Sequence, residues 1–181
     1  MLTDGTVVLR EVTVADIALL YAWRNDPETH PMFRDDRPLD FDSHRRFVER
    51  YSASVPGDYW WIVEAAGVPV GAIALYGFGA DRRACEFGRF IIGREHRGCG
   101  YGRRALELAM RFARSLGVER ISCAVLSSNE HALRLYSSLG FIAKGIEHAG
   151  ERGFVLMESA TAGPLDPCGL GGRRRLGACP T

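Results

Sequence analysis

The sequence predicts a single mixed α/β domain, and three observations carry that expectation. Strand-like and helix-like apolar patterns alternate along the chain, and a glycine-rich loop joins one strand to one helix. The third is size: 181 residues with 46% hydrophobic content suffice for one real core. Val7-Val8-Leu9 reads as a short strand. Thr13-Val14-Ala15-Asp16 has the spacing of a capping box. The helix after it sets Ile17, Leu20 and Trp23-Arg24 three to four apart and stops before Pro27. Asp42 or Ser43 is placed to cap a second helix carrying Phe47, Val48 and Tyr51. Three strands are then expected at Tyr59 to Ala65, Val68 to Phe78 and Ala84 to Ile92, with a turn at Ala66-Gly67. A helix from Arg103 to Leu116, a strand at Ile121 to Val125 and a helix from Asn129 to Leu139 follow. Strands at Phe141 to Ile146 and Phe154 to Glu158 close the core, expected to span 6–159.

Composition narrows the function classes. Formal net charge is +1 from 23 basic and 22 acidic residues, so no global field draws the chain to nucleic acid or an anionic membrane. Lys144 is the only lysine, a skew that reads as codon bias from a GC-rich genome. No apolar run approaches the roughly 20 residues that span a bilayer, and the start Met1-Leu2-Thr3-Asp4-Gly5 lacks signal-peptide character. A cytoplasmic protein is expected. Residues 160–181, rich in Gly and Pro and holding Arg173-Arg174-Arg175, are expected to form a disordered tail.

Cysteines at 85, 99, 123, 168 and 179 are odd in number and include no C-x-x-C pair, so neither a disulfide framework nor a zinc site is expected. Cys85 and Cys123 sit in apolar strand-like runs and read as core filler. The five histidines are scattered, and no metal is assigned.

The central feature is Arg97-Gly98-Cys99-Gly100-Tyr101-Gly102, between the strand ending at Ile92 and the helix starting near Arg103. Glycines let the backbone turn tightly and approach a ligand. The first N–H groups of the next helix lack internal partners and carry partial positive charge, which suits a phosphate or pyrophosphate. Arg103 and Arg104 strengthen that reading, since cations at a helix N-terminus are unfavourable unless an anion intervenes. The Walker pattern fails, because Gly98 is followed by Cys99 and Gly100. The dinucleotide fingerprint fails at Arg103, too bulky for close helix–strand packing. From the residues alone, an anion site and a ligand-free tight turn both remain open.

Ile92-x-x-x-x-Arg97-x-x-Gly100-x-Gly102 resembles the acetyl-CoA pyrophosphate loop of the GNAT superfamily of N-acetyltransferases. A second block agrees, Asn129-x-x-Ala132-x-x-Leu135-Tyr136-x-x-Leu139-Gly140-Phe141, beginning 27 residues after Gly102. The resemblance covers roughly Leu9 to Glu158 and departs at Arg94, where the family often has Pro. It implies a GNAT fold: a mixed, mostly antiparallel splayed sheet flanked by helices, with acetyl-CoA as cosubstrate. It further implies that backbone groups of Phe90, Ile91 and Ile92 pair with pantetheine. The N–H groups of Arg97, Gly98, Cys99, Gly100, Tyr101, Gly102 and Arg103 would hold the pyrophosphate.

Acetyl transfer to an amine needs the acceptor deprotonated and the departing thiolate stabilised. Tyr136 stands where the family places the general acid, which would protonate the sulfur or hydrogen-bond it; its structural alternative is packing beside Leu133 and Leu139. Asn129 can cap its helix, and in relatives this amide also touches coenzyme A. Glu86, in an otherwise apolar strand, is either the base, directly or through water, or an ion-pair partner of Arg89 or Arg83. Trp23, Arg24 and Asn25, with Arg34 in the charged loop to Arg37, lie where the family builds acceptor sites.

The Trp-Arg-Asn-Asp string is similar to one in the branch that acetylates nucleotide-linked aminosugars. Phosphate on such an acceptor would give Arg24, Arg34 or Arg37 bidentate partners. Glu86-Phe87-Gly88 also resembles the branch acting on ribosomal-protein N-termini. A small amine or antibiotic is a third acceptor, and a silent acyl-CoA-binding module is the non-enzymatic alternative. The expected partners are therefore a small-molecule amine or a protein N-terminus, with room for a homodimer and none for nucleic acid or membrane.

Overall fold

The computed structural model describes residues 1–54 and 57–160. Its strands are β1 (Leu2–Thr3), β2 (Val7–Glu11), β3 (Tyr59–Ala65), β4 (Val68–Tyr76), β5 (Ala84–Ile92), β6 (Arg120–Leu126), β7 (Ile142–Ala149) and β8 (Arg152–Ala160). The helices are α1 (Ile17–Asn25), α2 (Phe41–Ser54), α3 (Tyr101–Ser115) and α4 (Glu130–Ser138). The eight strands form one sheet in the order β1-β2-β3-β4-β5-β6-β8-β7. Every neighbouring pair is antiparallel except β5 and β6, which α3 joins as a parallel crossover.

Strand alternation explains why both faces are covered. In β3, Trp61 and Val63 point to one side while Trp60 and Ile62 point to the other. In β4, Ile73 and Leu75 join the first set, and the small Ala72 and Ala74 join the second. The first face meets α3 through Leu106, Ala109 and Ala113 and also receives Tyr136 from α4. The second receives Leu20 and Trp23 from α1 and Val48 from α2. Such two-sided burial is why the central strands read as near-continuous apolar runs.

Several boundaries differ from expectation. Asp40, rather than Asp42 or Ser43, caps α2: its carboxylate accepts the Ser43 N–H at 2.8 Å. Helix α3 starts at Tyr101, because Gly100 already supplies the left-handed turn before it. Strand β4 ends at Tyr76, and β7 runs to Ala149. The two-residue β1 and the short 3-10 turns at His30–Met32 and Arg94–His96 give no periodic signal. The Thr13–Asp16 pairing does form, with the Asp16 carboxylate accepting from the Thr13 N–H at 2.8 Å. The tail expected over 160–181 lies outside the described residues, apart from Ala160, the last residue of β8.

Candidate active site

Strands β5 and β6 pair only at Ala84 with Arg120, Cys85 with Ile121 and Glu86 with Ser122. Beyond that point they part. Phe87, Phe90, Tyr136 and Phe141 fill the wedge, with Phe87 edge-on to Tyr136 at 4.9 Å and to Phe141 at 5.3 Å between centroids. A bulge in the β4–β5 pairing lies between Gly88 and Ile91, where Arg89 adopts φ of 47°. Bulges bend a strand and re-aim its side chains. Gly88 is favoured for a different reason: a Cβ there would stand 2.5 Å from the Tyr76 hydroxyl, so that ring would have to move.

The parted strands enclose a cleft of about 480 Å3 that includes Glu86, Phe90, Cys123, Asn129 and Tyr136 in its lining. Tyr136 is 7% exposed, yet its hydroxyl has no hydrogen-bond partner among the described residues. Burial pushes its pKa well above the usual tyrosine value, so the phenol stays protonated at neutral pH. Glu86 makes no ion pair among the described residues; Arg83 is taken by Glu119 at 2.9 Å and Arg89 lies 4.0 Å from Asp58. The ion-pair alternative for Glu86 is therefore set aside, and its carboxylate is exposed in the cleft. Cys123 is buried, and its thiol is pushed up to about 12 by desolvation, which makes it a poor nucleophile.

At the open end, the chain passes from Phe90 and Ile92 through a tight loop into α3. Gly98 and Gly100 have φ of 79° and 78°, conformations that L side chains resist. The backbone N–H groups of Gly98, Cys99, Gly100, Tyr101, Gly102 and Arg103 find no acceptor among the described residues, and Gly100 offers no side chain as a cap. They form a row of donors at a helix N-terminus. Arg97, expected in this row, does not join it: its N–H donates to the Arg94 carbonyl at 3.3 Å, and its side chain donates to Thr29 at 2.7 Å, to Glu28 at 3.1 Å and to the Ile92 carbonyl at 3.2 Å. Arg94 also grips Glu28, at 3.0 Å, so the loop is tied to the segment after α1. The inference drawn from Arg103 and Arg104 needs correction. Arg103 bonds Ser138 and lies 3.6 Å from Glu107, and Arg104 pairs with Asp4 at 3.0 Å. Their charges are answered within the protein and do not by themselves call for an anion.

Asn129 caps α4, its Oδ1 accepting the Ala132 N–H at 3.1 Å. Of the four residues expected around the acceptor, Arg34 alone belongs to the cleft, where it forms a two-pronged pair with Glu147 at 2.7 and 2.9 Å. Trp23 is a core residue packed on Gly93. Asn25 clamps the α1–α2 connection through both backbone groups of Leu39, at 2.7 and 3.1 Å. Arg24 lines a second cavity under α1 and α2, with its guanidinium 4.1 Å from the Phe33 ring centroid. Sequence reading missed Tyr76, Arg89 and Glu147. Tyr76 and Arg89 sit in largely apolar strands and Glu147 in the exposed β7, and none carries a local signal of which way it faces.

A family model described as the acetyltransferase (GNAT) domain matches residues 6–142. Spermidine N(1)-acetyltransferase of Escherichia coli strain K12 is 33% identical over 111 residues, 61% of this chain and 52% of that protein. An uncharacterized protein of Methanocaldococcus jannaschii, MJ1062, is 23% identical over 76% of this chain and 28% of its own length. The chain thus spans about half or less of these relatives. Among solved structures, spermidine N-acetyltransferase from Vibrio cholerae in complex with CoA and spermine superposes with a TM-score of 0.77 at 20% identity. That match covers 87% of this chain and 96% of the other. At such identity the likeness is one of fold.

Proposed function

The chain belongs to the acetyltransferase (GNAT) domain family, and from that premise we propose that it moves the acetyl group of acetyl-CoA directly to a primary amine. The observation that carries this reading is the row of free N–H groups from Gly98 to Arg103 beside a cleft lined by Tyr136, a buried residue whose hydroxyl has no hydrogen-bond partner among the described residues. Phe90 links the two: its ring approaches within 3.4 Å of where a Gly102 Cβ would stand, and it also lines the cleft.

These residues fit coenzyme A. A pyrophosphate matches a nest of backbone donors next to a helix N-terminus. The edge of β5 that faces away from β4 beyond Glu86 is free to pair with the amides of the pantetheine arm, as an added strand would. Acetyl-CoA supplies an activated thioester. The protein supplies position and proton control. Glu86 is the one cleft carboxylate without an ion pair among the described residues, since Glu147 is bound to Arg34. It takes the proton of the attacking ammonium, directly or through water. Tyr136 donates a hydrogen bond to the departing sulfur. Its pKa, far above the value of about 8.5 for a thiol, makes complete proton transfer unfavourable. Stabilisation of the thiolate is its better role. The Asn129 side chain keeps the helix bearing Tyr136 in place.

The acceptor we favour is a small amine that also carries negative charge, a class that includes nucleotide-linked aminosugars. A polyamine is the second reading, supported by the 33% identical relative. Against it stands the cleft itself, where a single free carboxylate would face a substrate with several cations. A protein N-terminus has no specific feature of the cleft in its favour. The test is thiol release from acetyl-CoA against UDP-linked aminosugars, peptides with free N-termini and polyamines. Release with one class above background assigns both activity and branch. Failure of acetyl-CoA to bind in calorimetry would overturn the reading of the loop.

A further inference from the structure

The bulge in β5 divides the residues of the cleft between the two faces of the sheet. Cys85, Phe87 and Phe90 pack with the core that meets α3, which also holds Tyr136. Strand alternation sends Glu86 and Gly88 to the opposite face. The bulge adds Arg89 to them, with its guanidinium over the rings of Tyr76, Phe47 and Trp60 at 4.7, 5.2 and 5.4 Å. Tyr76 reaches this second face from β4, where it is the register partner of Glu86 and packs with the core beneath α1 and α2. Tyr76 and Tyr136 both line the cleft. Two phenols therefore flank β5 from opposite sides, Tyr136 edge-on to Phe87 and Tyr76 over Gly88.

Gly88 determines where the Tyr76 hydroxyl sits. A Cβ there would lie 2.5 Å from the oxygen and 3.0 and 3.1 Å from Cε1 and Cζ, so the phenol rests on bare β5 backbone. Glu86 is the last β5 residue paired with β6, and Gly88 comes two residues later. The hydroxyl thus stands where the free edge of β5 begins, the edge open to the pantetheine arm. Stacking on Arg89 accounts for the ring but not for the hydroxyl, because phenylalanine would stack as well. The oxygen has no hydrogen-bond partner among the described residues. Burial, and after it the nearby Glu86 carboxylate, raises the phenol's pKa and keeps it neutral, so its lone pairs can receive an N–H.

The second face is also the side on which an acceptor can arrive. Helix α3, whose N-terminus carries the row of N–H donors, covers the first face. Phe33, from the segment after α1, packs on the second face and lines the cleft with Met32 and Arg34. The cations there are answered, Arg34 by Glu147 at 2.7 Å and Arg89 by Asp58 at 4.0 Å, which leaves an ammonium facing the Glu86 carboxylate. We propose that Tyr76 positions the acceptor: its hydroxyl oxygen accepts a hydrogen bond from the attacking nitrogen and holds it on the second face of β5. Tyr136 serves the sulfur from the first face. The inference rests on the acetyl-transfer reading for what that nitrogen attacks. Tyr76 exchanges no proton; the one lost by the ammonium goes to Glu86.

Tyr76→Phe keeps the ring over Arg89 and removes only the hydroxyl. Whichever of 2-aminoethyl phosphate and spermidine binds the CoA-saturated chain in calorimetry should bind this variant about tenfold more weakly, as expected for losing one hydrogen bond to a cation. Ethyl phosphate, which has no amine, should bind both chains alike. Equal amine affinity in the two chains, or no binding of either amine to the unaltered one, overturns the role of Tyr76. In thiol release from acetyl-CoA, the variant should show KM for the amine raised about tenfold, with acetyl-CoA affinity and the pH profile unmoved. A displaced pH profile would make Tyr76 a proton carrier and overturn the positioning role. If amine binding depends on Tyr76 yet no thiol is released, the acetyl-transfer reading falls and the amine contact stands.

Discussion

The cleft between β5 and β6 and the cavity beneath α1 and α2 adjoin at Arg89 and Phe33, yet their linings carry opposite chemistry. The cleft holds a free carboxylate and an unpartnered phenol, and a row of backbone donors follows beyond Phe90. The cavity holds guanidinium, imidazole and indole groups and no acid. One strand makes this possible. The bulge in β5 lets Glu86 line the cleft alone while Arg89, three residues on, lines both spaces. One irregularity of backbone pairing thus gives two adjoining spaces different local chemistry.

The largest expected effect breaks the cleft alone. Tyr136→Phe keeps the aromatic packing on Phe87 and Phe141 and removes only the hydroxyl. We expect kcat to fall by roughly 100-fold or more, the scale of losing one hydrogen-bond donor to developing negative charge. Affinity for acetyl-CoA should be unchanged. An unaltered rate would remove Tyr136 from the mechanism and return it to the core.

Next in size is a change that undermines the cavity without touching its lining. Asp16 sits just before α1, 5% exposed, with a two-pronged pair to Arg10 at 2.7 and 2.8 Å and the Thr13 N–H on the same carboxylate. Desolvation works against the charged form, but these bonds outweigh it and hold the pKa below the usual carboxylate value. Asp16→Asn leaves Arg10 partly buried with a weakened partner and should cost about 2 kcal/mol in urea unfolding. Because the folded pKa is lowered, the stabilisation is complete above the unfolded value of 3.8 and fades as pH falls through the folded one. The gap between wild type and variant should therefore close in acid. A gap that persists unchanged at pH 2 would mean that the charge is not the source.

How much of this was legible in the sequence differs between the two regions for a physical reason. The loop beside the cleft is built from consecutive residues: a strand, a turn demanding positive φ at Gly98 and Gly100, and a helix N-terminus. Local chemistry writes itself into local spacing, so that loop and the Asn129–Tyr136 block could be read directly. The cavity draws Arg24, His44, Trp60 and Arg89 from four separate elements that only the tertiary fold brings together. In a linear reading Trp60 is a strand hydrophobe, and Arg24 belongs to a polar string. Glu86 was legible as an anomalous acid, though choosing between an ion pair and a free carboxylate required knowing where Arg83 and Arg89 go. Arg103 and Arg104 misled for the same cause, since their partners Ser138 and Asp4 lie far away in sequence.

A smaller effect should appear at the loop. Gly100, with φ of 78° and ψ of 0°, caps α3 in the left-handed region, and nothing lies within 4 Å of an added Cβ. Space is therefore not the constraint; the backbone is. Gly100→Ala should lose about 1 kcal/mol and weaken coenzyme A binding several-fold as the N–H row is misaligned.

The smallest expected effect is the most discriminating, because it concerns a glycine two residues away. Gly102 lies inside α3, where its φ is an ordinary helical one, and an added Cβ would meet Ile92 Cγ1 and Phe90 Cζ at 3.4 Å. That is the near edge of normal van der Waals contact, and alanine is the better helix former by up to about 1 kcal/mol. Gly102→Ala should leave stability equal or slightly raised and coenzyme A affinity within about twofold, since its N–H still points out of the first turn. If Gly102→Ala and Gly100→Ala weaken coenzyme A binding equally, the loop works by close approach of ligand to bare backbone along its whole length. If only Gly100→Ala does, the loop works by aiming its N–H groups, and glycine is needed solely where the chain must turn left-handed.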